Sequence, residues 1–258
     1  MTAKVITFGI QKGGSGKTTS AGMTAYVLSH EHKVLAVDMD SQGNLTELVT
    51  GRVLDQFRGL TSMEAIQNGD MRPYMVRVTE NLNVVPADNF LALFPKWVYQ
   101  DYRGSLPYQA LLRKALEPVM EEFDYIIIDT PPSLGVDTMN ALAASDWVVA
   151  MFEPSKYCLN ALENFLGSVE TVRGALNPDL RVAGILRTII DSRRSDSKVL
   201  LEVVVEQYGE YAPIFESVIT RTAHTGRLNI EGFVENPELR KAVQDYTPFI
   251  EELMAVVK

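Results

Sequence analysis

Short apolar runs recur along this chain, separated by longer stretches in which apolar residues return every three or four positions. The runs Lys4–Ile10, Lys33–Asp38, Leu82–Pro86, Asp124–Asp129, Asp146–Phe152, Arg181–Ile190 and Pro213–Ile219 read as strands. Several are continuously apolar, as in Tyr125-Ile126-Ile127-Ile128 and Trp147-Val148-Val149-Ala150, the pattern of strands covered on both faces. Helical spacing fills Thr18–His30, Leu106–Glu122, Asn160–Leu176 and Ser195–Tyr208. The alternation predicts an α/β fold, a mostly parallel, twisted sheet with helices on both faces. Ligands of such sheets collect at the carboxyl ends of the strands.

Chemistry-bearing residues fall at those ends. After the first strand comes Gln11-Lys12-Gly13-Gly14-Ser15-Gly16-Lys17-Thr18-Thr19, which opens the first helix. Strand, glycine-rich turn and helix form the context of a phosphate-binding loop. Glycines let successive N–H groups turn inward toward phosphate oxygens, and the helix adds the positive end of its dipole. Lys17 is placed to reach the β/γ-phosphates, and the Thr18 hydroxyl to ligate Mg²⁺. The ordinary pattern has glycine where Gln11 stands, and here a second lysine, Lys12, follows it. Two further strands end in acids, Asp38 with Asp40 close behind, and Asp129. An acid after a buried strand is costly unless it is paired or faces a polar cleft. Asp129 has the form of a Walker B carboxylate that holds Mg²⁺ directly or through water; a turn-starting or capping role is the other reading.

Composition narrows the choice. With 258 residues and no linker-like tract, one domain over 1–258 is expected, although the length alone permits two. The net charge of −9, from 24 basic and 33 acidic residues, argues against a globally basic nucleic-acid binder and leaves room for a local basic patch. A single cysteine, Cys158, rules out an intramolecular disulfide framework and a multi-cysteine metal site. No apolar run reaches membrane-spanning length and no signal-peptide pattern opens the chain, so a cytoplasmic protein without membrane attachment is expected.

The stretch Lys12-Gly13-Gly14-Ser15-Gly16-Lys17-Thr18 resembles the deviant Walker A motif of the ParA/MinD group of P-loop ATPases. Asp38-Met39-Asp40-Ser41-Gln42-Gly43-Asn44 and Asp129-Thr130-Pro131-Pro132 are similar to two further signatures of that group, with Ser41 in place of its usual proline. Asn140-Ala141-Leu142 and the segment Thr188 to Arg193 extend the resemblance, as does Ile219-Thr220-Arg221, where Thr220 replaces a proline. The resemblance implies ATP and Mg²⁺ as ligands, with nucleotide held by Lys12, Gly13, Gly14, Ser15, Gly16, Lys17, Thr18 and Thr19. It implies that Lys12 reaches the nucleotide of a second subunit and that Asp40 positions the attacking water, so that Lys12, Lys17 and Asp40 carry catalysis. Thr18, Asp38 and Asp129 would surround the metal, and Gln42–Asn44 and Pro131–Gly135 would be γ-phosphate-sensing switches.

Within the group, the single cysteine excludes an intersubunit iron–sulfur cluster, and the chain's last turns carry Glu251 and Glu252 with only Lys258 basic, unlike a MinD-type membrane helix. The resemblance is closest to short ParA-type DNA partition ATPases without a helix-turn-helix. It implies an ATP-dependent homodimer that binds DNA nonspecifically, sits on the nucleoid in its ATP form, and is stimulated by a ParB-type centromere-binding partner. Candidate DNA contacts are Arg193, Arg194, Lys198, Arg221 and Arg227, whose other reading is an ordinary solvated surface. Two alternatives use the same chemistry, ATP-switched positioning of a non-DNA cargo and a MinD-like division-site regulator. The stretch Thr50 to Tyr108 is the least familiar, and its Trp97, Tyr99, Tyr102 and Tyr108 are read as interaction surface or as core packing.

Overall fold

The computed structural model describes residues 2–190, 195–220, 232–233 and 236–258, and of residues 156, 189, 190 and 195–198 the backbone alone. Its strands are β1 (Lys4–Gly9), β2 (Val34–Asp38), β3 (Val76–Arg77), β4 (Leu82–Val85), β5 (Tyr125–Asp129), β6 (Trp147–Phe152), β7 (Arg181–Ile190) and β8 (Ile214–Thr220). They join in one sheet in the order β3-β4-β2-β5-β1-β6-β7-β8. Every pairing is parallel except that of β3 with β4. The predicted mostly parallel sheet is what forms.

Nine α-helical segments lie among the described residues: α1 (Lys17–Leu28), α2 (Asn44–Thr50), α3 (Ser62–Asn68), α4 (Phe94–Lys96), α5 (Leu111–Leu116), α6 (Val136–Ala144), α7 (Lys156–Ala175), α8 (Ser195–Tyr208) and α9 (Leu239–Val256). They divide the core in two. Side chains alternate across a strand, so β1 sends Ile6 and Phe8 to one face and Val5 to the other, and β5 sends Ile127 and then Ile126 and Ile128. The first face packs Phe8, Phe152, Phe165 and Phe249 under α1, α7 and α9; the second packs Leu35, Ile128, Phe94 and Leu112 under α3 to α6.

Several elements depart from the pattern read in the sequence. The stretch 106–122 is not one helix but α5 between two 3₁₀ turns, Tyr108–Ala110 and Glu117–Val119. Pro107 and Pro118 interrupt it, because proline lacks the N–H that a helix interior requires. Helix α7 starts four residues before the expected Asn160, since Ser155 caps it by accepting from the Cys158 N–H at 3.2 Å. The helices α2 and α3, each of 7 residues, are too short to show a period. α3 nonetheless carries a capping box in which Thr61 and Glu64 exchange hydrogen bonds. α9 was not among the predicted elements, and Pro248 lies inside it. Its Tyr246, Phe249 and Leu253 are buried, which fixes it against β1 and β8. Of the four aromatics in question, Trp97, Tyr102 and Tyr108 pack on the second core and Tyr99 stays 63% exposed. Among the described residues, no helix is long and apolar enough to cross a membrane.

Candidate active site

β1 lies between β5 and β6, so its loop opens at the middle of the sheet's carboxyl edge. Gly14 and Gly16 have φ of 73° and 83°, the left-handed region that favours glycine, and they turn the loop from β1 into α1. A Cβ at Gly13 or Gly14 would meet no protein atom within 4 Å, so the loop faces open space. That space is a cleft of about 740 Å³ floored by Gly13 to Thr19 and flanked by Asp40, Asn44, Glu153, Thr188 and Tyr246. The Thr188 hydroxyl donates to the Ser15 carbonyl at 2.7 Å and pins the loop to β7. The Ser20 and Tyr246 hydroxyls, 3.1 Å apart, join α1 to α9 below.

The two lysines differ in setting. Lys17 is buried, and its Nζ donates to the Lys12 carbonyl at 2.8 Å. Burial holds its ammonium below the ordinary lysine range, against the opposing pull of Asp129 and then Asp40. Such a group gains from an arriving phosphate. Lys12 is engaged at the cleft's flank: its Nζ forms an ion pair with the Glu153 carboxylate and donates to Ser155 Oγ at 3.2 Å.

Asp38 and Asp129 end neighbouring strands and face each other in register, both fully buried. Burial raises the pKa of both; the charge of Asp38 then raises Asp129 further, and that of Asp40 raises Asp38. Their hydrogen bonding separates them. Asp38 accepts from the Asp40 N–H at 3.1 Å, the Thr46 N–H at 2.9 Å and the Thr46 hydroxyl at 2.7 Å. Both oxygens of Asp129 are buried without a hydrogen-bond partner, although the Thr18 hydroxyl is near enough to favour its charged form. A buried carboxylate left unsatisfied is expensive, and a hard cation would relieve it. The residues therefore fit Mg²⁺, held by Asp129 and the Thr18 hydroxyl together with phosphate oxygens. Among the described residues no group of three or more His, Cys, Asp or Glu forms a cage of its own, as suits an ion that takes few protein ligands.

Asp40 projects at the cleft, nearly buried, with Oδ1 accepting from the Gln42 N–H at 3.0 Å. Its carbonyl accepts from the Gly43 N–H at 2.9 Å, closing a turn at the start of α2. Gly43 has φ of 63°, and a Cβ there would lie 2.4 Å from the Leu54 side chain, so both backbone and space demand glycine.

The family model described as an AAA domain matches residues 3–182. The chromosome partitioning protein ParA of Myxococcus xanthus is 39% identical over 223 residues, covering 84% of this chain and 75% of its own. This chain belongs to the ParA family. Among solved structures, a putative plasmid partition protein of Borrelia burgdorferi bound to AMPPNP superposes with a TM-score of 0.78 at 27% identity, covering 96% of this chain and 99% of that one. A Mycobacterium smegmatis protein described as cobyrinic acid a,c-diamide synthase, with bound ATP analogue and magnesium, superposes with a TM-score of 0.77 at 30% identity, covering 93% of each.

The ParA-family residues singled out in the sequence thus fall in two groups. Gly13 to Thr19 and Asp40 line one cleft, Asp38 and Asp129 are buried side by side at neighbouring strand ends, and Lys12 pairs with Glu153 of the cleft flank. Arg193, Arg194, Arg221 and Arg227 lie outside the described residues, as does the side chain of Lys198. A further set was missed. Thr46 orients Asp38, Glu153 and Ser155 hold Lys12, and Asp137, with one oxygen buried and unpaired, follows the Pro131–Gly135 segment near Asp40. Burial pushes the Asp137 carboxyl up to about 6. Thr46 carried no local signal, because the seven-residue helix that holds it is too short to show a period; Glu153 and Ser155 follow a strand end, where site residues collect.

Proposed function

We propose that this chain is a ParA-type partition ATPase that binds ATP with Mg²⁺, dimerises through it, binds DNA without sequence preference, and hydrolyses ATP faster when a ParB-type centromere-binding partner engages it. The observation that carries the reading is the pairing of a glycine loop and buried Lys17 with the unsatisfied Asp129 carboxylate across one cleft. The loop N–H groups and Lys17 bind the phosphates, and the cleft walls orient them. Mg²⁺, when bound at Asp129 and Thr18, supplies charge neutralisation on the phosphate oxygens. Asp40 holds the attacking water in line, with its carboxylate fixed by the Gln42 N–H. Asp38 acts on the reaction through Asp40 and Thr46, whose backbones it fastens. Amide transfer has no such support here: the one cysteine, Cys158, is buried and its thiol is pushed up by that burial, which disfavours a nucleophilic thiolate.

We place the protein in the cytoplasm, on the nucleoid in its ATP form. The alternative, ATP-driven positioning of a non-DNA cargo, draws on the net charge of −9. Sedimentation and DNA co-pelleting with ATP, ADP and no nucleotide test the proposal. A dimer and salt-sensitive DNA binding confined to ATP are expected. A dimer that never pellets with DNA favours the non-DNA cargo, and a chain that stays single in all three conditions overturns the switch itself.

A further inference from the structure

Lys12 is the loop residue whose charge does not face its own cleft floor. We propose that Glu153 is a positioning residue that, with Ser155, latches Lys12 onto its own subunit, and that the latch must open before two subunits can join across their nucleotides. This rests on the proposed ATP-dependent dimer.

The latch is built on rigid ground. Glu153 directly follows β6 and Ser155 is the cap residue of α7. Ser155 Oγ accepts both the Cys158 N–H and the Lys12 ammonium, each at 3.2 Å. The Glu153 N–H in turn reaches Cys158 Sγ at 3.3 Å, so strand end and helix start are tied together. The start of a helix is the positive end of its dipole, an unfavourable place for an ammonium. Lys12 sits there because the Glu153 carboxylate outweighs that repulsion, and Ser155 alone would not. The ion pair is partly sheltered, with side chains 23% and 27% exposed. The Lys12 carbonyl meanwhile accepts from Lys17 Nζ, so the same residue steadies the buried lysine of the loop.

A lysine held this way cannot also serve a second subunit. Each subunit of a dimer opens one latch, so the two costs multiply. Partly exposed pairs of this kind shift an equilibrium by about 1.4- to 5-fold, which becomes about 2- to 30-fold for the two together.

Glu153→Gln keeps the shape and removes the charge. Self-association would be measured by sedimentation equilibrium with a non-hydrolysable ATP analogue and Mg²⁺, and nucleotide affinity by titration at a concentration where subunits are single. Glu153→Gln should tighten association by about 2- to 30-fold, with a smaller change in single-subunit affinity, and Glu153→Ala should do the same. In a Lys12→Gln background the gain should vanish, which a merely structural effect of position 153 would not do. If the parent associates and Glu153→Gln associates equally or less, or gains as much without Lys12, the latch is refuted and the dimer reading stands. A parent that stays single with the analogue refutes both.

Discussion

Replacing Thr46 by valine should be among the most damaging single-atom changes in this protein. The side chains match in shape, so the substitution deletes a hydroxyl and leaves packing in place. That hydroxyl is fully buried, donates to Asp38 Oδ2 at 2.7 Å and accepts from the Ala87 N–H at 2.9 Å. It therefore bridges α2 and the end of β2 to the segment that follows β4. Losing a hydrogen bond to a charged group costs about 1.5–3 kcal/mol, and a stranded buried N–H adds about 1–3 kcal/mol. The total of about 2.5–6 kcal/mol is a large share of the roughly 5–15 kcal/mol that holds a typical domain together. The Thr46 N–H keeps its own 2.9 Å bond to Asp38, so the carboxylate is weakened in its place and not released.

Urea unfolding of nucleotide-free parent, Thr46→Val and Thr46→Ser checks this. Valine should lower the midpoint with the slope unchanged, and serine, which keeps the hydroxyl and loses one methyl, should cost about 1 kcal/mol. Asp38 also accepts from the Asp40 N–H, so hydrolysis by the valine variant should fall more than nucleotide affinity. Valine within about 1 kcal/mol of parent, or serine as harmful as valine, refutes the bridge.

Lys17→Ala should abolish tight ATP binding, whereas Asp40→Ala should retain binding, lose hydrolysis and accumulate the ATP-bound dimer; normal turnover by Asp40→Ala in a phosphate-release assay would remove its water-positioning role. Burial, with neighbouring carboxylates adding to it, raises both Asp38 and Asp129, so the native state binds more protons than the unfolded chain, and stability falls as pH rises from about 3.9 through the raised native values. Asp129→Asn should therefore stabilise the nucleotide-free protein at neutral pH, flatten that decline and remove the Mg²⁺ dependence of nucleotide binding; parallel pH profiles for parent and variant would contradict it. Glu252→Gln should lower stability by about 1–3 kcal/mol in thermal unfolding while nucleotide affinity is kept, and an unchanged unfolding midpoint would show that its bonds to β8 add nothing.

The sheet and the loop were legible because their signals are local. A continuously apolar run such as Tyr125 to Ile128 specifies a buried strand by itself, and the glycines of the loop encode a backbone path that few other residues can follow. Asp38 and Asp129 could be placed at strand ends, but not told apart. What separates them is Thr46, whose bond to Asp38 depends on where α2 starts, and α2 starts at a left-handed Gly43 held under Leu54. Seven residues do not show a helical period, so that geometry was hidden. Pro107 and Pro118 were visible in the sequence, and reading the segment around them as one helix gave apolar spacing more weight than the missing N–H groups.

Glu252 shows the other kind of hidden information, a residue whose part exists only in three dimensions. In the sequence it is one of two acids that argue against a basic membrane helix. In the structure its carboxylate accepts from the Glu216 N–H at 2.7 Å, the Ser217 N–H at 2.8 Å and the Ser217 hydroxyl. Those groups sit where the β7–β8 register slips between Ile185 and Arg187. On the other side of the slip Arg187 donates to the Phe215 and Glu216 carbonyls at 2.8 and 2.7 Å. One carboxylate and one guanidinium thus satisfy the backbone groups that the irregularity frees on an edge strand. The consequence reaches the cleft: Thr188, next to Arg187, pins the phosphate loop, and Ile219 and Thr220 at the end of β8 line the cleft wall. The C-terminal helix therefore belongs to the support of the nucleotide site, through a contact that no local pattern announces.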